Sequence, residues 1–209
     1  MAGPHVQVIA SGAAVLPVAR TIGDRVICAD GGVRVALAAG RHIDQVVGDL
    51  DSADPDDLAV ASDAGATIDR FPVAKDETDL ELALAAAIQH GPAQVTVHLA
   101  NGGRLDHQLA NLLVLASPRW SDAAVDAWVG DDRVWVVRTE LEIPLSVGDP
   151  ASIQAVGGPA RVTTTGLEYP LARETLDPSQ ARGVANVVRS TPATVLVHEG
   201  VVLVINTRS

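Results

Sequence analysis

Acidic residues, glycine and arginine are concentrated in four short segments that separate apolar runs from helical patterns. The segments are ADGG at 29–32, GDLDS at 48–52, KDETD at 75–79 and GGRLDH at 102–107. Carboxylate oxygens bind hard divalent cations, and glycine-rich turns at helix starts bind phosphate. In a doubly wound sheet the strands end, and the helices begin, along one edge. The four segments therefore predict a metal and phosphate site at that edge.

The segment GDLDS offers two carboxylates to one cation. Asp49 and Asp51 follow the apolar run at 45–47, and in an extended segment residues two apart project to the same side. Gly48 would allow a close approach. The same letters also fit a turn in which Asp51 or Ser52 caps a helix beginning near residue 55. The motif alone leaves both interpretations open.

The segment KDETD precedes an amphipathic helical pattern. Asp76 is predicted to cap this helix, with Glu77 and Asp79 complementing its dipole. A helix that starts at the ligand edge can also provide Asp79 as a third metal ligand and Lys75 as a phosphate contact. One residue can serve both purposes.

The segment GGRLDH opens another amphipathic helix. Its glycines let backbone amides approach a phosphate, and Arg104 offers a planar fork of donors that suits a nucleotide's phosphate chain. Asp106 could orient Arg104, bind a ribose, approach the metal or complement the helix dipole. The motif does not assign a role to His107.

Electrostatics decides what these groups need in order to work together. Two like charges 4 Å apart repel by about 4 kcal/mol at an effective dielectric constant of about 20, so several carboxylates facing a triphosphate require a counter-ion. Mg²⁺ commonly bridges one or two carboxylates to substrate phosphates. Phosphoryl or pyrophosphoryl transfer is therefore predicted. The sequence contains no GxxxxGK[ST] segment, which excludes the ordinary P-loop mechanism.

The elements that would position these segments alternate along roughly the first 120 residues, as expected of an α/β fold. Apolar runs predict strands at 6–10, 25–29, 45–47 and 94–99. Apolar periodicity predicts helices at 33–39, 55–64, 80–88 and 105–116. Together they predict a doubly wound, mostly parallel sheet with helices on both faces.

After residue 118 the pattern changes to short strand-like runs separated by turns. The runs lie at 125–129, 133–137, 152–156, 161–165, 194–198 and 201–205. Short strands at close spacing predict an antiparallel sandwich or barrel. We therefore expect an α/β catalytic domain over 1–135, followed by an antiparallel β-sandwich domain over 136–209.

Composition limits the partners. With 15 Lys+Arg against 26 Asp+Glu the net charge is −11, which repels a nucleic-acid backbone or an anionic membrane, so neither partner is expected. The N-terminus lacks a signal-peptide pattern, and the sequence has no apolar run of about 18 residues. These features predict a cytoplasmic protein. The single cysteine, Cys28, is predicted to be a buried hydrophobe.

The four segments, in this order, resemble the thiamine pyrophosphokinase (thiamine diphosphokinase) family, particularly its bacterial type. The resemblance extends through KDETDLELAL, GGRLDHQLANL, TTTGLEYPL at 163–171 and RGVAN at 182–186, and so covers nearly the whole chain. It implies an α/β catalytic domain that binds ATP and Mg²⁺, and a β-sandwich that binds thiamine. It also implies a homodimer with thiamine between subunits, and transfer of the β,γ-diphosphate of ATP to thiamine with release of AMP.

The resemblance also assigns roles to individual residues. Asp49, Asp51 and Asp79 correspond to the Mg²⁺ and pyrophosphate site, and Arg104 and Asp106 to residues that position ATP. The resemblance implies that all five residues are catalytic. A wider nucleotide-binding set contains Asp30, Lys75, Thr78 and Gly103 in addition to Arg104 and Asp106.

The RGVAN segment departs from the family pattern. Ala185 and Asn186 are the candidate thiamine contacts, but the family usually has serine where this chain has Ala185. Loss of one hydrogen bond is worth about 0.5–1.5 kcal/mol, or roughly tenfold in affinity. Arg133 also replaces a common asparagine. These departures keep open a diphosphokinase acting on a pterin alcohol. A non-catalytic nucleotide sensor is a further alternative, against which the intact acidic and arginine motifs argue.

Overall fold

The computed structural model describes residues 3–12 and 25–208, which belong to two compact units. The α/β unit runs to Val114 and includes residues 122–130, and the β unit contains residues 115–121 and those from 131 onwards. Because compactness alone does not delimit functional domains, the division into 1–135 and 136–209 stays a prediction.

The α/β unit contains six parallel strands in the order β4-β3-β2-β1-β5-β6. They are β1 (His5–Ile9), β2 (Arg25–Ala29), β3 (Gln45–Gly48), β4 (Thr67–Arg70), β5 (Gln94–Leu99) and β6 (Ala124–Val129). The chain moves outward from β1 to β4 and then returns to place β5 beside β1. This reversal is the arrangement that creates a ligand crevice at the carboxyl ends of the strands.

The helices of this unit cover both faces of the sheet, as predicted. They are α1 (Gly32–Ala38), α2 (Pro55–Asp63), α3 (Asp79–Gln89) and α4 (Leu105–Leu115). Helices α1 and α3 both contact β1 and β2. Val26 and Cys28 join the core formed with α1 and α2, and the pleat turns the intervening Ile27 to the other face. None of the described helices has the length and apolar character needed to cross a membrane.

Two helix starts differ from the sequence expectation. Helix α2 is capped by Asp54, which accepts from the Asp56 amide at 3.0 Å, and not by Asp51 or Ser52. The predicted Asp76 cap of α3 is wrong, because Thr78 and Glu81 form a reciprocal capping box. Because the two residues are three apart, the Thr78 side chain accepts from the Glu81 amide and the Glu81 side chain accepts from the Thr78 amide.

Strand β6 corrects the grouping of the run at 125–129 with the antiparallel strands. It pairs in parallel with β5, with Val125 opposite Val95 and Val129 opposite Leu99. Its residues are buried from Val125 onwards, as expected for a strand covered on both faces. The change of architecture therefore comes after β6.

The β unit consists of two antiparallel sheets that enclose one core, which confirms the predicted β-sandwich. Its strands are β7 (Asp132–Val137), β8 (Glu140–Ile143), β9 (Ser152–Ala155), β10 (Ala160–Thr165), β11 (Glu174–Leu176), β12 (Ala193–Glu199) and β13 (Val202–Asn206). One sheet contains β7-β13-β9 and the other β11-β10-β12-β8. Side chains such as Ile153 and Val204 from the first sheet share a core with Val162 and Val195 from the second.

Cys28 provides a chemical test of the α/β core. The thiol is fully buried, and desolvation, with the charge of Asp44 acting in the same direction, raises its pKa to about 12. The reactive thiolate therefore forms only at strongly alkaline pH. We expect a thiol reagent at mildly alkaline pH to leave the native protein unmodified and to label one thiol after unfolding in guanidinium. Rapid labelling of the native protein would contradict this.

Candidate active site

Three carboxylates from separate parts of the chain converge at the carboxyl ends of the parallel strands. Asp30 follows β2, Asp49 follows β3, and Asp79 is the first residue of α3. One oxygen from each lies within 4.8 Å of the other two. We call these residues the acidic cluster. Such an oxygen-rich group has the donor chemistry that Mg²⁺ prefers.

Asp30 is the buried member of the acidic cluster, with 7% of its surface exposed. Its Oδ2 accepts a hydrogen bond from Ser52 Oγ, whereas its Oδ1 is buried without a hydrogen-bond partner among the described residues. Its φ of 47° lies in the left-handed region. An unpartnered buried carboxylate oxygen is costly, and a bound cation would remove that cost.

The backbone around Asp49 brings the carboxylates close together. At Gly48 a Cβ atom would lie 3.0 Å from Asp79 Oδ1 and 3.2 Å from Asp30 Cβ, so glycine permits the approach. The prediction of an extended segment from Asp49 to Asp51 is wrong, because Leu50 between them has a φ of 62°. The Leu50 side chain is buried in the core formed with α1 and α2, which holds this conformation.

Asp51 lies on the same cavity but its carboxylate is not part of the acidic cluster. Its backbone amide donates to Asp49 Oδ1 at 3.2 Å. The charge of Asp49, followed by desolvation and the charge of Asp30, raises the pKa of Asp51. Its assignment as a metal ligand stays a prediction.

Lys75 forms ion pairs with two members of the acidic cluster. Its Nζ lies 3.0 Å from Asp49 Oδ2 and 3.0 Å from Asp79 Oδ1. Desolvation acts to lower the pKa of Lys75, but the hydrogen bonds and charges of the two carboxylates raise it overall. The hydrogen bond from Lys75 in turn lowers the pKa of Asp49. The predicted phosphate contact of Lys75 stays a prediction.

A cavity of about 510 Å³ opens over the acidic cluster, within the usual size range of ligand pockets. Helix α4 contributes His107, Ala110 and Asn111 to its wall, and the turn after β1 contributes Ser11. Sequence reasoning gave no site role to Asn111 or Ser11. The spacing of four residues between His107 and Asn111, with alanine before Asn111, was the signal that these side chains share one helix face.

Arg104 and Asp106 form a bidentate pair at the start of α4. Arg104 Nη2 lies 2.6 Å from Asp106 Oδ2, and Nε lies 3.2 Å from Oδ1. The hydrogen bond from Arg104, with that from the His107 amide, lowers the pKa of Asp106 to about 2. Gly103 has a φ of 81°, and a Cβ atom added there would meet no other atom within 4 Å, so the space beside its backbone is open. The roles of these three residues toward ATP stay predictions.

The RGVAN segment of the β unit is organised by Asn186. Asn186 Oδ1 accepts from the amides of Tyr169 at 3.1 Å and Val187 at 2.9 Å, while Nδ2 donates to Tyr169 O at 2.9 Å. Ala185 has a φ of 59°, and its amide donates to Ser152 Oγ at 3.0 Å. Asn186 thus fixes the loop that carries the exposed Tyr169. Direct thiamine contact by Ala185 and Asn186 stays a prediction.

Comparison with known protein families shows to which family the chain belongs. The family model described as thiamin pyrophosphokinase, catalytic domain, matches residues 22–128, and the thiamin pyrophosphokinase vitamin B1 binding domain matches residues 138–202. The chain belongs to the thiamin pyrophosphokinase family. The resemblance inferred from the sequence motifs is therefore confirmed.

Solved structures agree on the fold. Thiamine pyrophosphokinase from Bacillus subtilis is 21% identical, with a TM-score of 0.83, and the match covers 98% of this chain and 99% of that one. A family protein from Enterococcus faecalis gives 21% identity, a TM-score of 0.82 and the same coverage. Thiamin pyrophosphokinase from Candida albicans gives 16% identity and a TM-score of 0.78, with 98% and 90% covered. No curated protein matches the sequence significantly.

The two domain matches together establish the enzyme class. They support thiamine diphosphokinase activity, a transferase reaction of thiamine diphosphate biosynthesis in which ATP and thiamine are the substrates. Neither the structure nor the comparisons favour the pterin diphosphokinase or the non-catalytic sensor.

Proposed function

We propose that the chain transfers the β,γ-diphosphate of ATP to the hydroxyl of thiamine in a Mg²⁺-dependent reaction that gives thiamine diphosphate and AMP. The observation that carries this proposal is the convergence of Asp30, Asp49 and Asp79 beside a cavity at the carboxyl ends of β2 and β3. This is the position where open parallel sheets bind ligands. We place the ATP and Mg²⁺ site in domain 1–135 and the thiamine-binding function in domain 136–209. We also propose that the protein acts in the cytoplasm.

The residues present fit a magnesium ion. Asp49, Asp51 and Asp79 would hold it, and the unpartnered Oδ1 of Asp30 supplies a further oxygen. When bound, Mg²⁺ neutralises charge on the transferring diphosphate as AMP departs. Thr78 contributes by capping α3, which fixes Asp79 at the first helical position.

The remaining residues would position the nucleotide. Arg104 presents a fork of donors, Asp106 holds that fork in place at 2.6 Å, and Gly103 leaves the backbone open to a phosphate. Lys75 lines the same cavity and would approach the polyphosphate. In this arrangement catalysis depends mainly on positioning and charge neutralisation.

The activity test measures AMP formation from ATP with thiamine, with a pterin alcohol and with no alcohol, each with Mg²⁺ or with a chelator. We expect AMP only when thiamine and Mg²⁺ are both present. AMP formed only with the pterin alcohol would favour that alternative. ATP binding without AMP formation for any alcohol would indicate a sensor.

We also propose a homodimer with the thiamine site at the subunit interface. Three leucines at intervals of four residues on α4 support it, since Leu105, Leu109 and Leu113 are 78%, 55% and 50% exposed. A contiguous apolar stripe of this kind is typical of an interaction surface. A second copy of the chain is the partner we assign to it.

Leu109→Glu is expected to weaken the dimer at least about a hundredfold, because a charge replaces about 1.5–3 kcal/mol of apolar burial on each subunit. Light scattering after gel filtration would show a monomer at concentrations where the unmodified protein is a dimer. Val60→Glu is the matched control, since Val60 is 54% exposed on α2. If the Leu109→Glu dimer is as stable as the Val60→Glu dimer, the leucine stripe of α4 is not the dimer interface.

Ala185→Ser is expected to tighten thiamine binding by up to about tenfold, because the hydroxyl restores one hydrogen bond of about 0.5–1.5 kcal/mol. Calorimetric titration with Mg²⁺ and a non-hydrolysable ATP analogue measures the change. Ala181→Ser places a hydroxyl at an exposed position nearby and should leave the affinity unchanged. Equal affinities for the two variants would exclude Ala185 from the thiamine site.

A further inference from the structure

Lys75 stands out in both the sequence and the structure. It is the only lysine in the chain, among 15 Lys+Arg residues, and its ammonium contacts two carboxylates of the acidic cluster. We propose that Lys75 is an exchangeable counter-ion: it holds Asp49 and Asp79 together without metal, is displaced by the divalent cation, and then binds the polyphosphate. This inference rests on the metal role proposed above for Asp49 and Asp79.

The contacts of Lys75 show that it fills the place of a cation. Its Nζ is 3.0 Å from one oxygen of Asp49 and 3.0 Å from one oxygen of Asp79. The Lys75 and Asp49 side chains are 11% and 12% exposed, so the contact is largely shielded from water. The Asp49 amide also donates to Asp79 Oδ1, at 3.3 Å. Screening by solvent is weak in such a position.

One ammonium does not neutralise the acidic cluster. Asp30, Asp49 and Asp79 are three carboxylates, and Asp51 lines the same cavity. The buried Oδ1 of Asp30 has no hydrogen-bond partner among the described residues, which independently indicates a missing ligand. The site therefore retains an attraction for a divalent cation even with Lys75 in place.

The chemistry of lysine suits an exchange. Lysine carries a compact charge on a flexible stem, whereas arginine holds carboxylates with a rigid fork. A divalent cation at Asp49 and Asp79 repels the neighbouring ammonium. Lys75 lines the cavity, so its displaced ammonium meets an anion placed there. Metal and nucleotide should consequently bind with positive coupling. The metal releases the Lys75 ammonium for the polyphosphate, and the polyphosphate gives the displaced ammonium a new partner.

Binding of Mn²⁺ in the absence of nucleotide tests the counter-ion directly. We expect Lys75→Met, which keeps much of the stem but removes the charge, to bind Mn²⁺ at least about tenfold more tightly than the unmodified protein. Lys75→Arg retains the charge and holds carboxylates with a rigid fork, so it should bind Mn²⁺ no more tightly than the unmodified protein. Electron paramagnetic resonance of free Mn²⁺ gives the affinities, and circular dichroism verifies that both variants are folded. The proposal would be overturned if Lys75→Met bound Mn²⁺ with the same affinity as the unmodified protein, or if Lys75→Arg bound Mn²⁺ more tightly than the unmodified protein.

The unmodified protein offers a second measurement that needs no variant. Because the chain has one lysine, lysine labelled with ¹³C gives one set of side-chain signals. We expect these signals to shift on addition of Mg²⁺ and to shift again when a non-hydrolysable ATP analogue is added. Unchanged signals at saturating Mg²⁺ would reject displacement. Both measurements record binding, so absence of AMP formation would overturn the proposed function while leaving this inference standing.

Discussion

Asp49→Asn is expected to reduce the rate of AMP formation from ATP and thiamine at least about a hundredfold. A metal ion contributes several kcal/mol of charge stabilisation, and each 1.36 kcal/mol corresponds to about tenfold in rate. The substitution removes the charge that Asp49 contributes to the acidic cluster and to Lys75. Steady-state rates at saturating ATP, thiamine and Mg²⁺ measure the effect.

Asp63→Asn is the control for this loss of charge, because Asp63 is exposed at the end of α2. Its rate should equal that of the unmodified protein. Asp51→Asn is expected to abolish activity as well, and unchanged turnover would reject the metal role assigned to Asp51. Full activity of Asp49→Asn would contradict the proposed site as a whole.

Gly183→Ala is expected to destabilise the β unit by about 3 kcal/mol or more. A Cβ atom at this position would lie 2.0 Å from the carbonyl oxygen of Ile153. The two backbones cannot separate easily, because the Ile153 amide donates to the Gly183 carbonyl at 2.8 Å. Ile153 is also buried in the sandwich core. Denaturant unfolding followed by circular dichroism measures the loss of stability. Titration of the folded fraction with thiamine reports whether the β unit still binds it.

Gly158→Ala is the matched control in the same unit. A Cβ atom there meets no atom within 4 Å, so its stability should stay within about 0.5 kcal/mol of the unmodified protein. If the two alanine variants unfold at the same denaturant concentration, the close packing of Gly183 against β9 is wrong.

The strands that the sequence did not predict share one property. Strands β4, β8 and β11 all lie at an edge of their sheets, and their segments TIDR, ELEI and ETL are short and rich in polar residues. Edge strands bury less surface and carry charges, so they lack the apolar run that marks a central strand. The central strands β1, β2 and β5 were predictable because they are almost entirely buried.

The candidate site was predictable to the level of its segments but not of its geometry. Parallel topology alone brings Asp49 and Asp79 together, since both lie at the edge where strands end and helices begin. The left-handed Leu50 has no sequence signal, so the relation of Asp49 to Asp51 could not be read from spacing. Lys75 and Asp79 are only four residues apart. The contact of Lys75 with Asp49 instead joins residues 26 positions apart in the chain, and no local pattern encodes it.

Leu50 links the acidic cluster to the apolar interior. Its backbone carries Asp49 on one side and Asp51 on the other, while its side chain is 5% exposed within the core of α1 and α2. The spacing of the anionic groups is therefore set by how tightly neighbouring methyl groups pack. Substitution of an aliphatic residue beneath this loop would therefore alter the spacing of the two carboxylates while every charged side chain is kept.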